Sequence, residues 1–392
     1  MRRPFLLALV LGVAVLWDGG FAPAPRVAFA GLALAALAAA LVRDRAARGM
    51  LGWPVVLVLL ALGLVGVLSA LWTVGFASDA VRWGLVTVGY GAVVVIAAGV
   101  RAEVVAGLVC ALAFVSGVVG LAAMAARTGP FADHVHGAWR PGGTLEYPPA
   151  LALLQVSALP GLLAGLRRRR LRVWSAAGLV VALLVLGFGG SRLELALGAI
   201  VVAAALAAGG GSKSVSIVDG IRPTPRRAAV IAAVLLLATA TAAVATTGRD
   251  AGEANGGFWH GRLHTWRAAV ETAADHPLAG GGADSFLAAS ARHQREGPVL
   301  FAHDLPLELA AELGAIGALL ALALYATAVA AVWRARRTRA GPLLGPAVLA
   351  FLAASLVDWP WHLAGSGAVW AAALGGIAGA SARRTSFPAP NP

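Results

Sequence analysis

The sequence predicts an all-α protein that crosses a membrane about twelve times and forms a single integral membrane domain over residues 1–392. Three observations lead to this fold class. Of the 392 residues 59% are hydrophobic and only 12% are charged, apolar runs recur along the chain, and the basic residues concentrate in alternate connections between the runs. A soluble domain averages about 45–50% apolar and about 25% charged residues, so a soluble enzyme is excluded. The single cysteine, Cys110, excludes a disulfide framework and a cysteine-built metal site.

Each apolar run is predicted to be a helix, because a backbone in lipid has to satisfy its own hydrogen bonds. The predicted spans are 4–18, 27–42, 53–71, 83–100, 104–124, 148–166, 174–190, 193–210, 228–246, 306–333, 341–357 and 365–381. The first run, which follows Arg2 and Arg3, also resembles a secretory signal peptide. Since a second apolar run follows at once and many more come after it, we favour a retained first helix.

The charges predict which ends of these spans face the cytoplasm. With a cytoplasmic N-terminus, the inner connections hold 21 of the 31 basic residues and three acids, whereas the outer side holds 10 basic and 15 acidic residues. The net charge is then +18 inside and −5 outside, which together give the formal +13. This distribution is typical of a multi-pass protein of a bacterial inner (cytoplasmic) membrane, with both termini cytoplasmic. The arginine run at 167–170 is interpreted as an orientation signal or a contact with membrane lipids, and nucleic acid is not an expected partner.

Polar chemistry is predicted on the outer side, in two extracytoplasmic loops at 125–147 and 247–305. All eight histidines fall outside on this topology, although outer loops are also simply the only long polar stretches. A loop as long as 247–305 is uncommon and usually serves binding or catalysis, so we expect the active site there. Its sequence predicts a surface helix at 262–275, a turn at the glycine run 280–282 and a second short helix after Asp284 or Ser285. The glycine run could instead cradle a phosphate, but no lysine follows it as in a P-loop.

His303 is the first candidate residue. Asp304 is a good N-cap and Pro306 suits the first turn of the next helix, so His303 is expected just outside a helix N-terminus. That end of a helix favours anions and disfavours a protonated imidazole. A neutral imidazole beside an anion site can act as a general base; the alternative is an interfacial capping residue.

Arg192 is the second candidate, because it directly precedes an apolar run. Exposing it to lipid costs about 2.5–3.5 kcal/mol, so it should face a protein cavity or the interface. A pair with Glu194 is the structural alternative, although residues two apart on a helix do not face each other. The functional interpretation is an anion held at the outer membrane surface.

Several motifs are absent, and their absence narrows the chemistry. The chain has no Walker motif, HExxH, CxxC or GxSxG. His134 and His136 have no second group of ligands close in sequence, so a zinc site is not expected. No cofactor is predicted, and arginines are the available groups for binding an anion.

Short motifs in the long loop resemble the O-antigen ligase family, the polytopic superfamily of O-antigen ligases, Wzy-type polymerases and O-oligosaccharyltransferases. They are Gly261-Arg262 with Trp266, and the stretches 275–282, 302–304 and 312–317. Ser191-Arg192 resembles the family's Ser-Arg motif, and 140–148 resembles the loop before its middle helices. The chain departs from the family at two positions. Pro149 follows Pro148 where the family often has Asn, and Asp304 follows His303 where Asn is frequent.

The resemblance implies a glycosyltransferase-C-like, metal-independent enzyme that uses a glycan on undecaprenyl diphosphate as donor. The acceptor would be a hydroxyl group of a glycan, lipid or protein. The resemblance and the residue types together suggest these roles: Arg192, Arg262 and Arg140 hold the diphosphate, His303 is the catalytic base, Glu308 and Glu312 are alternative bases or partners of His303, and Trp266, Trp259 and Asp304 contact acceptor or sugar. The two tryptophans could equally be interfacial anchors.

Ligase activity is the leading functional hypothesis, and two alternatives are open. One is a polysaccharide polymerase of the same superfamily, and the other is a transporter or flippase without chemistry. A transporter should place ionisable residues at mid-membrane depth and show repeat symmetry, whereas these span interiors are almost free of charge and show no internal repeat. The stretch 358–362 could line the acceptor path or belong to an aromatic interface belt.

Overall fold

The structure is a computed structural model that describes residues 3–135, 137–208, 260–295 and 297–385. This part of the chain is mostly helical, as the apolar runs predict. The predicted span at 228–246, the first part of the long loop, His136 and Trp259 lie outside the described residues.

The α-helices of the described residues follow the predicted apolar runs and the two predicted helices of the long loop, except that α3, in a predicted connection between spans, was not predicted. They are α1 (Arg3–Leu16), α2 (Pro23–Arg43), α3 (Arg45–Met50), α4 (Pro54–Leu68), α5 (Ala77–Ala98), α6 (Ala102–Ala126), α7 (Pro148–Leu166), α8 (Arg172–Phe188), α9 (Arg192–Ala208), α10 (His260–Asp275), α11 (Phe286–Ala289), α12 (Leu305–Ala335), α13 (Ala340–Ala354) and α14 (Ala364–Thr385).

Six of these helices are long and apolar enough to cross a membrane: α2, α4 with its following turn, α5, α6, α7 and α12. Among the shorter ones, α1, α8 and α13 are also apolar. Large apolar side chains such as Leu319, Leu322 and Val173 are more than three-fifths exposed on the outside of the bundle. Exposed apolar side chains of this kind are what a lipid-facing helix presents, and together with the long apolar helices they lead us to treat the protein as membrane-embedded. The count of twelve spans stays a prediction.

Prolines and one aspartate define several helix starts. Pro23, Pro54 and Pro148 each occupy the first turn of a helix, where the missing N–H costs nothing. Because of Pro23, α2 begins four residues before the apolar run that predicts it. The predicted cap of α12 is confirmed, since the Asp304 carboxylate accepts a hydrogen bond from the Leu307 N–H at 2.8 Å.

The core is built around α5 and α14, which pack directly against each other and are buried for most of their length. Glycines allow this close approach: a Cβ at Gly367 would lie 2.2 Å from the Tyr90 ring, and one at Gly375 would lie 2.3 Å from the carbonyl oxygen of Val94. Small residues at helix contacts are how membrane helices gain packing energy. Tyr90 is fully buried and donates its hydroxyl proton to the carbonyl of Trp361 at 2.9 Å.

The predicted outer loop 125–147 contains a β-hairpin that the all-α prediction missed. Strands β1 (Ala132–Val135) and β2 (Ala138–Pro141) pair antiparallel, with Asp133 opposite Arg140. Gly137, at φ +75°, lies in the tight turn between the two strands. A 3-10 turn at Gly143–Leu145 then leads into α7. The hairpin brings the middle of this loop back over α6.

Several connections between helices meet at one end of the bundle, which we call the His303 end. The Trp72 indole N–H donates to the carbonyl of Ala279 at 3.1 Å, and the Val74 N–H donates to the carbonyl of Gly281 at 2.8 Å. The Leu305 N–H likewise donates to the carbonyl of Ser355 at 2.8 Å. The connections before α5, before α12 and after α13 therefore form one layer.

The glycine run of the long loop packs against a kink in α12. The kink lies at Gly314 (φ 61°, ψ −148°), and the Gly282 N–H donates to the carbonyl of Glu312 at 2.7 Å. A Cβ at Gly280, whose φ is +65°, would lie 2.2 Å from the Glu312 carbonyl carbon. The hydrogen bonds of the run join it to α12 and to the segment before α5, so it acts as a packing turn.

Candidate functional site

His303 lies in the tight loop that enters α12, directly before the capping Asp304. Its φ of 56° places a non-glycine residue in the left-handed region, which is uncommon outside turns and functional sites. The indole N–H of Trp266, from α10, points at the His303 carbonyl oxygen at 3.5 Å. The side chain of His303 is half-buried at the His303 end of the bundle.

The ring of His303 has a defined proton position. Its Nδ1 lies 3.0 Å from the carbonyl oxygen of Phe301. A carbonyl can only accept, so Nδ1 carries the proton and donates it. In the neutral ring this leaves Nε2 with the lone pair, which is the tautomer that can take a proton from a substrate.

Asp358 is a buried acid whose carboxyl group interacts with the charge of this histidine. Tyr147 donates its hydroxyl proton to the carboxylate, with 2.9 Å to Oδ1 and 3.2 Å to Oδ2. Burial raises the pKa of Asp358, while His303, the hydrogen bond from Tyr147 and Arg262 act in the opposite direction. Burial and the neighbouring Asp358 raise the pKa of Tyr147. The hydroxyl of Tyr147 therefore stays protonated and available as a donor.

Arg262 reaches the same place from the first turns of α10. Its Nε donates to the carbonyl of Val357 at 2.5 Å, directly before Asp358 in the chain. Its positive charge acts on Tyr147, Glu194 and Asp358. A planar guanidinium group in this position offers N–H donors in a geometry that suits carboxylate and phosphate oxygens.

The start of α9 supplies the remaining groups. Glu194 is buried, and its carboxylate accepts a short hydrogen bond from the hydroxyl of Ser191. The guanidinium of Arg140, from β2, lies over Gly190, where a Cβ would be 2.9 Å from its Cζ. Arg192 begins α9 with an exposed side chain. The Ser-Arg motif thus positions a buried acid and an exposed arginine within one helical turn.

We define the site cluster as Tyr147, Glu194, Arg262, His303 and Asp358, whose hydrogen bonds and charges meet here, together with Arg140, which lies over Gly190 just before the start of α9. Of the candidates predicted from sequence, the cluster includes Arg140, Arg262 and His303, and Arg192 begins the helix that carries Glu194. Sequence reasoning missed Tyr147 as a site residue and weighed Glu194 and Asp358 only as alternatives. The signal that could have indicated Glu194 and Asp358 was an isolated acid beside an apolar run. Burying such a charge costs free energy unless it has a partner.

The other predicted residues lie close by with different partners. Glu312 is fully buried, and its two oxygens accept from the N–H groups of Asp284 and Phe286, each at 2.9 Å. Glu308 accepts from the Ala302 N–H at 2.7 Å. These three hydrogen bonds direct the two carboxylates to backbone groups rather than to the His303 ring. Asp304 is occupied as the cap of α12; burial raises its pKa, and the hydrogen bond from Leu307 opposes this.

The site cluster combines a lone pair on an imidazole with buried carboxyl groups and arginines at the end of an apolar bundle. Such a set can accept a proton and bind an anion. Within the described ranges, no group of three or more His, Cys, Asp or Glu side chains is arranged to hold a metal ion. No protein-family model matches the chain, and no curated protein matches it either.

Proposed function

We propose that the protein transfers a glycan from undecaprenyl diphosphate to an acceptor hydroxyl group at the outer face of the cytoplasmic membrane, as an O-antigen ligase does. In this reaction His303 Nε2 takes the proton of the acceptor hydroxyl. The acceptor oxygen forms a bond to the anomeric carbon of the glycan, and the bond from that carbon to the phosphate oxygen breaks. Undecaprenyl diphosphate leaves with the electron pair.

The observation that supports this proposal best is the environment of Asp358. The charges of His303 and Arg262 both act on this buried carboxyl group, and Arg262 also binds the carbonyl of Val357, directly before Asp358 in the chain. The proposed base, His303, and a proposed diphosphate-binding group, Arg262, thus both act on Asp358. Such proximity is required for proton removal and leaving-group stabilisation to act on the same bond.

The arginines have distinct parts in this scheme. Arg262 is anchored to the Val357 carbonyl through Nε, an arrangement that directs the guanidinium toward the site cluster. Arg140 lies on Gly190 beside the start of α9, and Arg192 follows two residues later. Planar guanidinium groups bind phosphate oxygens in pairs, and we assign all three to the diphosphate.

Glu308 and Glu312 take a supporting part rather than that of a base. Both hold backbone N–H groups of the segments that lead to or pack beside His303. A base has to accept a proton from a substrate, and carboxylates fully engaged in buried hydrogen bonds are poorly suited to that. We therefore assign the proton transfer to His303 and the loop geometry to the two glutamates.

Deletion of the gene, followed by mass spectrometry of surface glycans and lipid-linked intermediates, tests this function. A ligase predicts loss of glycan from its acceptor and accumulation of full-length lipid-linked donor. Shortened chains would indicate the polymerase instead. Donor retained on the cytoplasmic side would indicate a flippase and contradict the proposal. In a purified reaction we expect transfer to persist with EDTA, and its loss would contradict the metal-independent mechanism.

A further inference from the structure

A second group of charged residues, almost completely buried, contacts the loop that carries His303. We call it the buried ion network, and its members are Arg26, Asp284, Glu308 and His362. Arg26 Nη1 is 2.9 Å from Asp284 Oδ2, and Arg26 Nη2 donates to the carbonyl of His362 at 3.2 Å. His362 Nε2 forms a short hydrogen bond with the Glu308 carboxylate, and its Nδ1 lies 3.4 Å from Asp284 Oδ1. The side chains of His362 and Glu308 are only 1% and 3% exposed.

The network ends on the backbone next to His303. Glu308 binds His362 through one carboxylate oxygen and accepts the Ala302 N–H at 2.7 Å through the other. Ala302 is fully buried and directly precedes His303. A hydrogen bond to an ionised acceptor is stronger than one between neutral groups. The position of this backbone group therefore depends on a carboxylate whose other partner is His362.

A stack of rings provides a second connection to the same loop. The His362 ring stacks on Phe301 with centroids 3.9 Å apart and planes 26° apart. Phe301 stacks on Trp359 at 5.1 Å, and Trp359 packs on Tyr147 at 4.4 Å. The two residues that precede His303 are thus held in place. Phe301 contacts the His362 ring, and Ala302 is bound by Glu308, the partner of His362. Tyr147 at the far end of the stack belongs to the site cluster.

We propose that His362 is a positioning residue that holds the loop 301–303 in the strained conformation that presents His303. The left-handed backbone of His303 is unfavourable and persists only where its surroundings impose it. The hydrogen bond between Glu308 and Ala302 and the ring contact between His362 and Phe301 impose this conformation. The effect of His362 on catalysis rests on the proposed function. Its effect on the conformation of the loop 301–303 does not.

The charge on His362 makes the arrangement dependent on pH. The charged groups that face it are Glu308 from α12, Asp284 from the loop after α10 and Arg26 from α2, and Glu312 acts on it from one turn further along α12. Burial by itself lowers the pKa of His362, but the charge of Glu308 and the contacts with Asp284 outweigh burial and raise it to about 9. The ring is therefore charged at neutral pH and loses its charge as the pH rises through about 9.

Hydrogen exchange of the full-length protein in lipid nanodiscs tests the proposal at pH 7 with His362→Gln. His293→Gln is the matched control, because His293 also bridges two acids, Glu271 and Asp275, but in the segment after α11, where its side chain is 19% exposed. We expect peptides covering 299–304 to exchange about tenfold faster in His362→Gln and unchanged in His293→Gln. Equal exchange of 299–304 in the wild type and a folded His362→Gln protein would overturn the proposal.

The wild-type protein provides a test that needs no folded variant. After correction for intrinsic exchange, peptides covering 299–304 should lose protection between pH 7 and pH 10, while peptides of α14 should keep theirs. Constant protection of 299–304 over this range would contradict the proposal. Where transfer is measured, His362→Gln should lower kcat and leave the KM for the lipid-linked donor unchanged. If the wild type transfers no glycan but the exchange difference is present, the proposed function fails and the positioning stands.

Discussion

Tyr147 donates its hydroxyl proton to the carboxylate of Asp358 at 2.9 Å, across 211 residues of sequence. This bond joins the residue that precedes α7 to the connection between α13 and α14. It also keeps a buried carboxyl group partnered at the place where Arg262 and His303 converge. Both the packing of these helices and the arrangement of the site cluster therefore depend on the contact between Tyr147 and Asp358.

Substitution Tyr147→Phe should destabilise the protein by about 1–3 kcal/mol, because it removes the side-chain donor of the buried Asp358 carboxyl group and leaves it the backbone N–H of Trp359. Tyr325→Phe is the matched control, since the Tyr325 hydroxyl donates at 3.1 Å to a neutral backbone carbonyl, that of Leu352. We expect a smaller loss of about 1 kcal/mol there. Unfolding in detergent measured by tryptophan fluorescence checks both variants. An equal or larger loss in Tyr325→Phe would contradict the importance of the Asp358 bond.

Substitution Arg262→Lys should reduce glycan transfer by about tenfold or more, because an ammonium group cannot bind the Val357 carbonyl and a phosphate with one planar fork. Arg267→Lys provides the comparison on the same helix, where the arginine is exposed and pairs with Glu271 at 2.8 Å. Exposed pairs of this type contribute little, so its rate should remain within about twofold of the wild type. Initial rates of transfer with the lipid-linked donor compare the two variants. Similar losses of rate in both would contradict the assignment of Arg262 to diphosphate binding.

Substitution Gly280→Ala should destabilise the protein by about 2–5 kcal/mol, through a clash with the Glu312 backbone added to a left-handed conformation. Gly137→Ala separates the two effects, because Gly137 also has a positive φ of +75° but has nothing within 4 Å of the added Cβ. Its cost should be only about 1–2 kcal/mol. Thermal unfolding in the same detergent compares them, and equal costs would show that the glycine run is not packed against α12 as described.

The stability of the protein should fall in alkaline solution because of His362. Its pKa is raised from an ordinary 6.5 to about 9, so the stability that its charge contributes is fully present below about pH 6.5 and is lost as the pH rises through about 9. Each unit of such a shift corresponds to about 1.4 kcal/mol. His362→Gln should show a lower thermal midpoint at pH 7 and a much weaker decline between pH 7 and pH 10. An unaltered alkaline decline in the variant would assign it to another group.

Local signals allowed the helices and the entry to α12 to be predicted. Asp304 as an N-cap and Pro306 as a first-turn proline are local signals that do not depend on the rest of the chain. The position of His303 before the helix follows from them. The Arg26–Asp284 and Tyr147–Asp358 pairs could not be predicted in this way, since their members are separated by 258 and 211 residues and meet only through helix packing. The hairpin at 132–141 was missed because a short polar loop between long apolar runs carries no strong strand pattern.

The glutamates of α12 show the same limit in a different form. Their spacing placed Glu308 and Glu312 on one face of the helix near His303, which suggested a shared chemical role. The kink at Gly314 and the loop packed against it decide which groups these carboxylates bind. A helical repeat predicts which residues share a face, but it does not say which backbone groups that face will meet.

The most direct test of the central claim is transfer of glycan from undecaprenyl diphosphate to an acceptor by the purified protein in proteoliposomes, with wild type and His303→Ala compared side by side. The wild type should release undecaprenyl diphosphate and form the glycosylated acceptor. The folded His303→Ala protein should bind the donor as well as the wild type does but form no product. Full transfer by His303→Ala would contradict the assignment of His303 as the base.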